Sequence, residues 1–221
     1  MSLTMDQQII PCPFFKRLFD ICISLLIITI LFPVFVFIWL SMTINMILCR
    51  EDRGPYFYKE KRISQGNIFE VLKFRTLKTS VIERIHTEGK WARYYESDFS
   101  NLTWSGRYIL KKFYFDEIPQ FFNILKGDMS IVGPRPWALP EVNAQIQKGY
   151  LYRNWILAGF TSPAQIQLKG VQYSKEMNFL QLEIQYVERC KTWPSWKLVG
   201  FDIYVIIWTI FVMRRGEGLK Y

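Results

Sequence analysis

The chain has 221 residues, half of them hydrophobic and 21% charged, with a formal net charge of +9. That mixture is too apolar for a disordered chain and too charged for one living wholly in the bilayer, so a single functional unit with a soluble body and a membrane attachment is expected. Four cysteines without CxxC spacing (Cys12, Cys22, Cys49, Cys190) and a lone histidine, His86, give no zinc set, disulfide framework or histidine triad. The positive excess calls for an anionic partner. Nucleic acid, anionic lipid head groups and phosphorylated small molecules all qualify, and part of the excess fits the cytoplasmic Lys/Arg bias of membrane proteins.

After an N-terminal segment, 1–15, residues 16–50 carry the clearest physical signal. From Ile21 to Leu48 the chain runs 28 residues without a formal charge, flanked by Lys16, Arg17 and Asp20 before it and Arg50, Glu51, Asp52 and Arg53 after it. A cleaved signal peptide has an apolar core of about 7–15 residues followed by small residues, so this run is expected to stay in the mature protein. As a straight helix it would measure about 42 Å against a hydrocarbon core of about 30 Å. The excess must go into tilt, exit or a bend. Pro33, near the middle, removes a backbone N–H and clashes with the preceding turn, which predicts a kink or a break into two half-helices. A kinked spanning helix and a re-entrant hairpin both satisfy the hydropathy, and cations at both ends favour both ends being cytoplasmic.

The following body is rich in turn punctuation, including Gly54-Pro55, Gly66-Asn67, Gly127-Asp128 and Gly133-Pro134, so long helices are not expected to dominate it. Tyr56-Phe57-Tyr58 and Ile68-Phe69-Glu70-Val71-Leu72 read as extended segments around a glycine-containing turn. From Trp91 to Tyr114 the pattern is helical in part and basic. Next, Asp116-Glu117-Ile118-Pro119 leads into Gln120–Lys126 and then Gly127, a short helix opened by proline and closed by glycine. Its N-terminus would favour ionised carboxylates. Taken alone, such a pair is ordinary helix-start decoration. With Arg107, Lys111 and Lys112 before it and Lys126 and Arg135 after it, it also suits a site that holds phosphate and balances its charge with a metal.

Val199–Met213 is a second apolar stretch, interrupted by Asp202 and short for spanning. Arg214 and Arg215 follow it, and Trp193, Trp196, Tyr204 and Trp208 are of the type favoured at head-group depth. A helix lying in the interface is expected; a buried core helix is the competing reading.

Four blocks, KRLFDICISLLIITILFP at 16–33, GPYFYKEKRISQGNIFEVLKFRT at 54–76, LKKFYFDEIPQFFNILKGDMSIVGPRP at 110–136 and GFTSPAQIQLKG at 159–170, resemble the bacterial sugar transferase family of monotopic phosphoglycosyl transferases, or polyprenyl-phosphate phosphosugar transferases. The resemblance implies an α+β, helix-rich fold. A membrane re-entrant helix hairpin broken at Pro33 would anchor a small cytoplasmic catalytic domain, residues 51–170, followed by a C-terminal interfacial, amphipathic segment, 171–221. The implied location is the bacterial inner membrane with the catalytic domain facing the cytoplasm. The implied reaction moves a sugar 1-phosphate from a nucleotide diphosphate sugar, usually a UDP-sugar, to undecaprenyl phosphate, releasing UMP and initiating glycan assembly.

In the family's pattern the catalytic pair falls on Asp116 and Glu117, the aspartate being the nucleophile that carries the phosphosugar and a ligand of Mg2+. Lys73 and Arg75 in KFRT and Arg135 in GPRP fall on phosphate-holding positions, with Arg62, Arg107 and Lys111 as further candidates. Departures from the family wording are Ser64 for a glycine, Lys111 for an arginine, Ser162-Pro163, Leu168 and Lys169 in the fourth block, and Glu183 for an aspartate. They direct attention to sugar and nucleotide recognition, not to the core chemistry. Under this reading no nucleic acid partner is expected, and the oligomeric state is open, a homo-oligomer included. The alternative is a non-catalytic, membrane-anchored basic protein that binds anionic lipid or nucleic acid; it would have no need of the Asp116-Glu117 pair.

Overall fold

The computed structural model describes residues 9–89, 92–167 and 179–214; Trp91, Leu168, Lys169 and Arg215 lie outside them. The fold is α+β and helix-rich. It divides into two units that interleave along the chain, one of Met1–Leu25, Lys61–Glu70 and Asn123–Tyr221, the other of Leu26–Glu60 and Val71–Phe122.

Helix α1 runs from Phe14 to Leu48 with Pro33 inside it. The two expected half-helices are thus one helical element. A proline removes one main-chain donor and can bend a helix without ending it. About half of the side chains of α1 are exposed, among them Leu26, Ile30, Phe32, Phe37 and Ile47. Length and apolarity suffice to cross a membrane, as they also do for the final helix.

Strands β1 (Phe57–Ser64) and β2 (Asn67–Phe74) form a two-stranded hairpin. Its two connecting residues, Gln65 and Gly66, have φ of 49° and 76°, the doubly positive turn whose twist matches paired strands. The extended segments read from the sequence are both there, each longer than anticipated.

In the unit containing residues 71–122, α2 (Thr79–Glu88) and α3 (Ala92–Glu96) pack around a small core. Leu77, Val81, Ile85, Ala92 and Leu102 are buried together. Arg75 is buried at 1% exposure, its guanidinium donating to the carbonyls of Asp52, Pro55 and Leu77.

Helix α4 (Gln120–Lys126) has the limits that Pro119 and Gly127 predict. Gly127 is left-handed at φ 99°, and the N–H groups of Gly127 and Asp128 return to the carbonyls of Ile124 and Asn123, the pattern of a Schellman stop. Arg17 completes this end, donating to the carbonyls of Ile124 and Leu125 at 2.6 and 2.8 Å.

In the unit containing residues 123–221, strand β3 (Met129–Val132), buried throughout, pairs in parallel with β4 (Ala158–Thr161), Met129 opposite Ala158 and Val132 opposite Thr161. Just past β3 the two backbones come so close that a Cβ on Gly159 would lie 2.1 Å from the nitrogen of Gly133, so glycine is required there on steric grounds alone. Helices α5 (Leu139–Gln147), α6 (Pro163–Gln167), α7 (Phe179–Thr192) and α8 (Ser195–Arg214) complete this unit.

The apolar stretch expected at 199–213 is therefore a longer helix of 20 residues. Leu198, Asp202, Val205, Thr209 and Val212 form a buried stripe, while Trp196, Ile203, Ile207, Ile210 and Phe211 are exposed. The buried-core reading holds for one face of α8, and the other face is apolar and exposed. Asp202 is accommodated inside because Lys16 reaches it at 2.5 Å and the Tyr186 hydroxyl at 2.8 Å.

Candidate active site

Asp116 and Glu117 sit on a single 3-10 turn, Phe115–Glu117, ahead of α4 and not on its first turn. The preceding residue, Tyr114, has φ of 57°, a left-handed conformation that costs a non-glycine residue about 1–3 kcal/mol and persists only where the surroundings fix it. The turn is reached from a π-helical segment, Gly106–Leu110, and then Lys111, so the cation and the two acids come from one short, irregular stretch.

Asp116 is 2% exposed. Its Oδ2 lies 2.9 Å from the ammonium of Lys111, which also lies 2.8 Å from Glu96 Oε1. Glu96 in turn accepts from the Thr76 hydroxyl at 3.3 Å. Glu117 Oε1 is 3.5 Å from the ammonium of Lys73. Three carboxylates thus share two ammonium groups. Taking charges out of water this way is costly unless each keeps its partner.

Burial raises the Asp116 carboxyl above the ordinary aspartate value; the charge of Lys111 opposes this and that of Glu117 reinforces it. The ionisation expected from a helix dipole is therefore governed instead by burial, by Glu117 and by two lysines, Lys111 foremost and Lys73 after it. Lys111 is itself held charged: burial works against its ammonium, but Asp116 and Glu96 outweigh it and raise its pKa. Burial also works against ionised Glu96, yet Lys111 and Lys73 bring it below the usual carboxylate value. A buried acid whose ionised form depends on adjacent cations is a candidate nucleophile.

Of the residues singled out from the sequence, Asp116, Glu117, Lys73 and Lys111 are joined in this cluster. Arg75 belongs to the same unit, where it is buried and its guanidinium holds three main-chain carbonyls, a framework position. Arg107 is exposed, its guanidinium over the rings of Phe99 and Tyr108 at 4.8 and 5.0 Å. Arg62 and Arg135 belong to the other unit. There Arg62 bridges Ala138 across the chain, and the main chain of Arg135 is clamped, its N–H donating to Glu183 Oε1 at 3.0 Å and its carbonyl accepting from Arg153. Glu183 also takes the Tyr152 hydroxyl at 2.6 Å and pairs with Arg153.

Glu96 is the member of the cluster that sequence reading missed. It stands 20 residues before Asp116 in no motif, and only the fold brings it under Lys111. The departures at 64, 111 and 183 each have a position in the structure: Ser64 Oγ accepts the Ala158 N–H at 2.9 Å, Lys111 bridges two acids, and Glu183 anchors the loop that carries Arg135.

The sequence pattern described as bacterial sugar transferase matches residues 12–216. The chain is 32% identical, over 93% of its length and 41% of the relative's, to the undecaprenyl-phosphate galactose phosphotransferase of Salmonella typhimurium. It is 31% identical, over 89% of its length and 39% of the relative's, to the UDP-glucose:undecaprenyl-phosphate glucose-1-phosphate transferase of Escherichia coli. A third relative, the UDP-N-acetylgalactosamine-undecaprenyl-phosphate N-acetylgalactosaminephosphotransferase of Aeromonas hydrophila, is 27% identical over 96% of the chain and 47% of its own length. The chain thus spans less than half the length of these curated relatives.

Proposed function

This chain belongs to the bacterial sugar transferase family, and we propose that it transfers a sugar 1-phosphate from a nucleotide diphosphate sugar, a UDP-sugar by the family's habit, to undecaprenyl phosphate at the cytoplasmic face of the bacterial inner membrane. The observation that carries the reading is the buried Asp116 carboxylate held 2.9 Å from Lys111 with Glu117 beside it on one turn.

In the first step an Asp116 oxygen attacks the phosphorus that bears the sugar. The bond from that phosphorus to the nucleotide's bridging oxygen breaks, UMP leaves with the electron pair, and the phosphosugar is carried on the carboxylate. In the second, a phosphate oxygen of undecaprenyl phosphate attacks the same phosphorus, the acyl phosphate bond breaks, and Asp116 is regenerated as the lipid diphosphate sugar forms. Two such displacements replace one difficult transfer. Lys111 and Lys73 lower the repulsion between carboxylate and diphosphate, and Glu117 takes a proton from the lipid phosphate. Guanidinium offers phosphate paired donors, and Arg135 and Arg62 are proposed for that role.

Among the described residues no group of three or more His, Cys, Asp or Glu side chains could hold a metal. Two neighbouring carboxylates nevertheless suit Mg2+, which takes one or two from protein and completes its shell with substrate phosphates and water. Asp116, with Glu117 beside it, would hold the ion, which supplies charge neutralisation at the diphosphate.

In the membrane, both ends of α1 are proposed to lie on the cytoplasmic side, with a bend at Pro33. Support comes from both ends engaging polar partners: Asp20 accepts from Ser130 and from the Ile131 N–H, and Asn45 donates to Asp52. The test is purified protein in detergent with Mg2+, undecaprenyl phosphate and a panel of UDP-sugars. UMP released with one sugar is the expected result; a folded protein that releases none from any of them would leave a non-catalytic binder as the better account.

A further inference from the structure

A cleft of about 600 Å³ opens in the unit of residues 26–60 and 71–122, and neither Asp116 nor Glu117 lines it. One wall is Cys49–Asp52, the residues that directly follow α1; the other includes Phe99, Trp104, Arg107 and Tyr108. Its two acids are already engaged. Glu51 takes Lys78 at 2.9 Å, and buried Asp52 accepts from the Asn45 amide and the Trp104 N–H, each at 2.9 Å. Arg50 and Arg107, by contrast, have no carboxylate partner among the described residues; with Lys78 they set three cations against two acids, so the cleft carries one positive charge in excess and two guanidinium groups that no acid holds.

The rim fixes the kind of anion. Ile47 and Leu48, the last residues of α1, are 68% and 77% exposed, an apolar surface that water would not leave bare. Phe99, Trp104 and Tyr108 are each about half exposed or more and include the aromatic types that settle at head-group depth. The cleft begins where that apolar surface ends.

We propose that this cleft holds the phosphodiester headgroup of an anionic bilayer phospholipid, with Arg50 and Arg107 on the phosphate oxygens and the aromatic rim at the glycerol level. Guanidinium binds phosphate through paired, charge-assisted donors, and basic residues beside a membrane segment draw anionic lipid. The site would tie the body to anionic regions of the bilayer independently of turnover.

Cys49, exposed and part of the wall, is a built-in reporter. The full chain carrying Cys22→Ser is held in a neutral detergent, and the alkylation rate at Cys49 is followed by peptide mass. Buried Cys190 serves as a control for folding. Short-chain phosphatidylglycerol should slow Cys49 several-fold, phosphatidylcholine of the same chain length should not, and Arg50→Gln or Arg107→Gln should each weaken the protection while Cys190 stays unreactive. Equal protection by phosphatidylcholine, or protection surviving the loss of both arginines, would overturn the proposal. Protection by inorganic phosphate as strong as by phosphatidylglycerol would overturn the lipid assignment. No donor sugar enters the assay, so its failure and the failure of the transfer reaction are separable.

Discussion

The ammonium of Lys111 lies 2.9 Å from the Asp116 carboxylate and is the main influence opposing burial there. Removing it favours the protonated acid, so Lys111→Gln should move the acidic limb of the pH–activity profile to higher pH. Lys111→Arg, which keeps the charge, should leave that limb nearly in place. Glu117 acts in the opposite sense, because its negative charge raises Asp116. In Glu117→Gln the limb should therefore shift to lower pH even as turnover falls. Rates of UMP release across pH for the three variants test the signs together, and a Lys111→Gln limb that does not move would detach the lysine from the ionisation of Asp116.

Asp116→Asn keeps the volume of the side chain and removes the proposed nucleophile. UMP release should fall by roughly a thousandfold or more, as it does when a nucleophile is taken from enzymes that work through covalent intermediates. With donor labelled in the sugar and no lipid acceptor, the parent protein should retain label after denaturation and the variant none. Label retained by Asp116→Asn would place the covalent step on another side chain.

The hairpin turn at Gln65-Gly66, the limits of α4 and the acid pair were legible because each depends on neighbours in sequence: a turn residue, a proline before and a glycine after, two acids amid cations. Lys16, Arg17 and Asp20 were read as the charged margin of an apolar run, yet all three are engaged within the protein, with Asp202, with the end of α4 and with β3. Nothing local marks a lysine whose partner lies 186 residues away. Glu96 is invisible for the same reason, and the letter of Arg75 does not tell that it is buried and donates to main-chain carbonyls. In α8 both faces are apolar, so periodicity could not say that one packs inward and the other does not.

Ser64 stands where a glycine is usual in the family pattern, and its hydroxyl accepts the Ala158 N–H at the start of β4. Ser64→Ala leaves that buried donor without its partner, a loss of about 1–3 kcal/mol. Thermal unfolding in detergent should move down accordingly. The variant's preference among UDP-sugars should not change, because Ser64 is 4% exposed; an altered preference with unchanged stability would assign the serine to substrate recognition.

Lys16 and Asp202 form a 2.5 Å pair with side-chain exposures of 4% and 0%. Tyr186 stands 2.8 Å from the other Asp202 oxygen, and Lys16 also donates to the Val132 carbonyl at 3.2 Å. Lys16→Met alone strands a buried carboxylate and should cost about 3–5 kcal/mol. Replacing both charges, as Lys16→Met with Asp202→Leu, removes the desolvation cost together with the attraction, and such exchanges are often neutral or stabilising. The double variant should therefore recover much of the thermal stability lost in the single one, short of what the Tyr186 hydroxyl and the Val132 carbonyl forfeit. A double variant no better than Lys16→Met would mean that the lysine acts through Val132 and the end of β3 more than through Asp202.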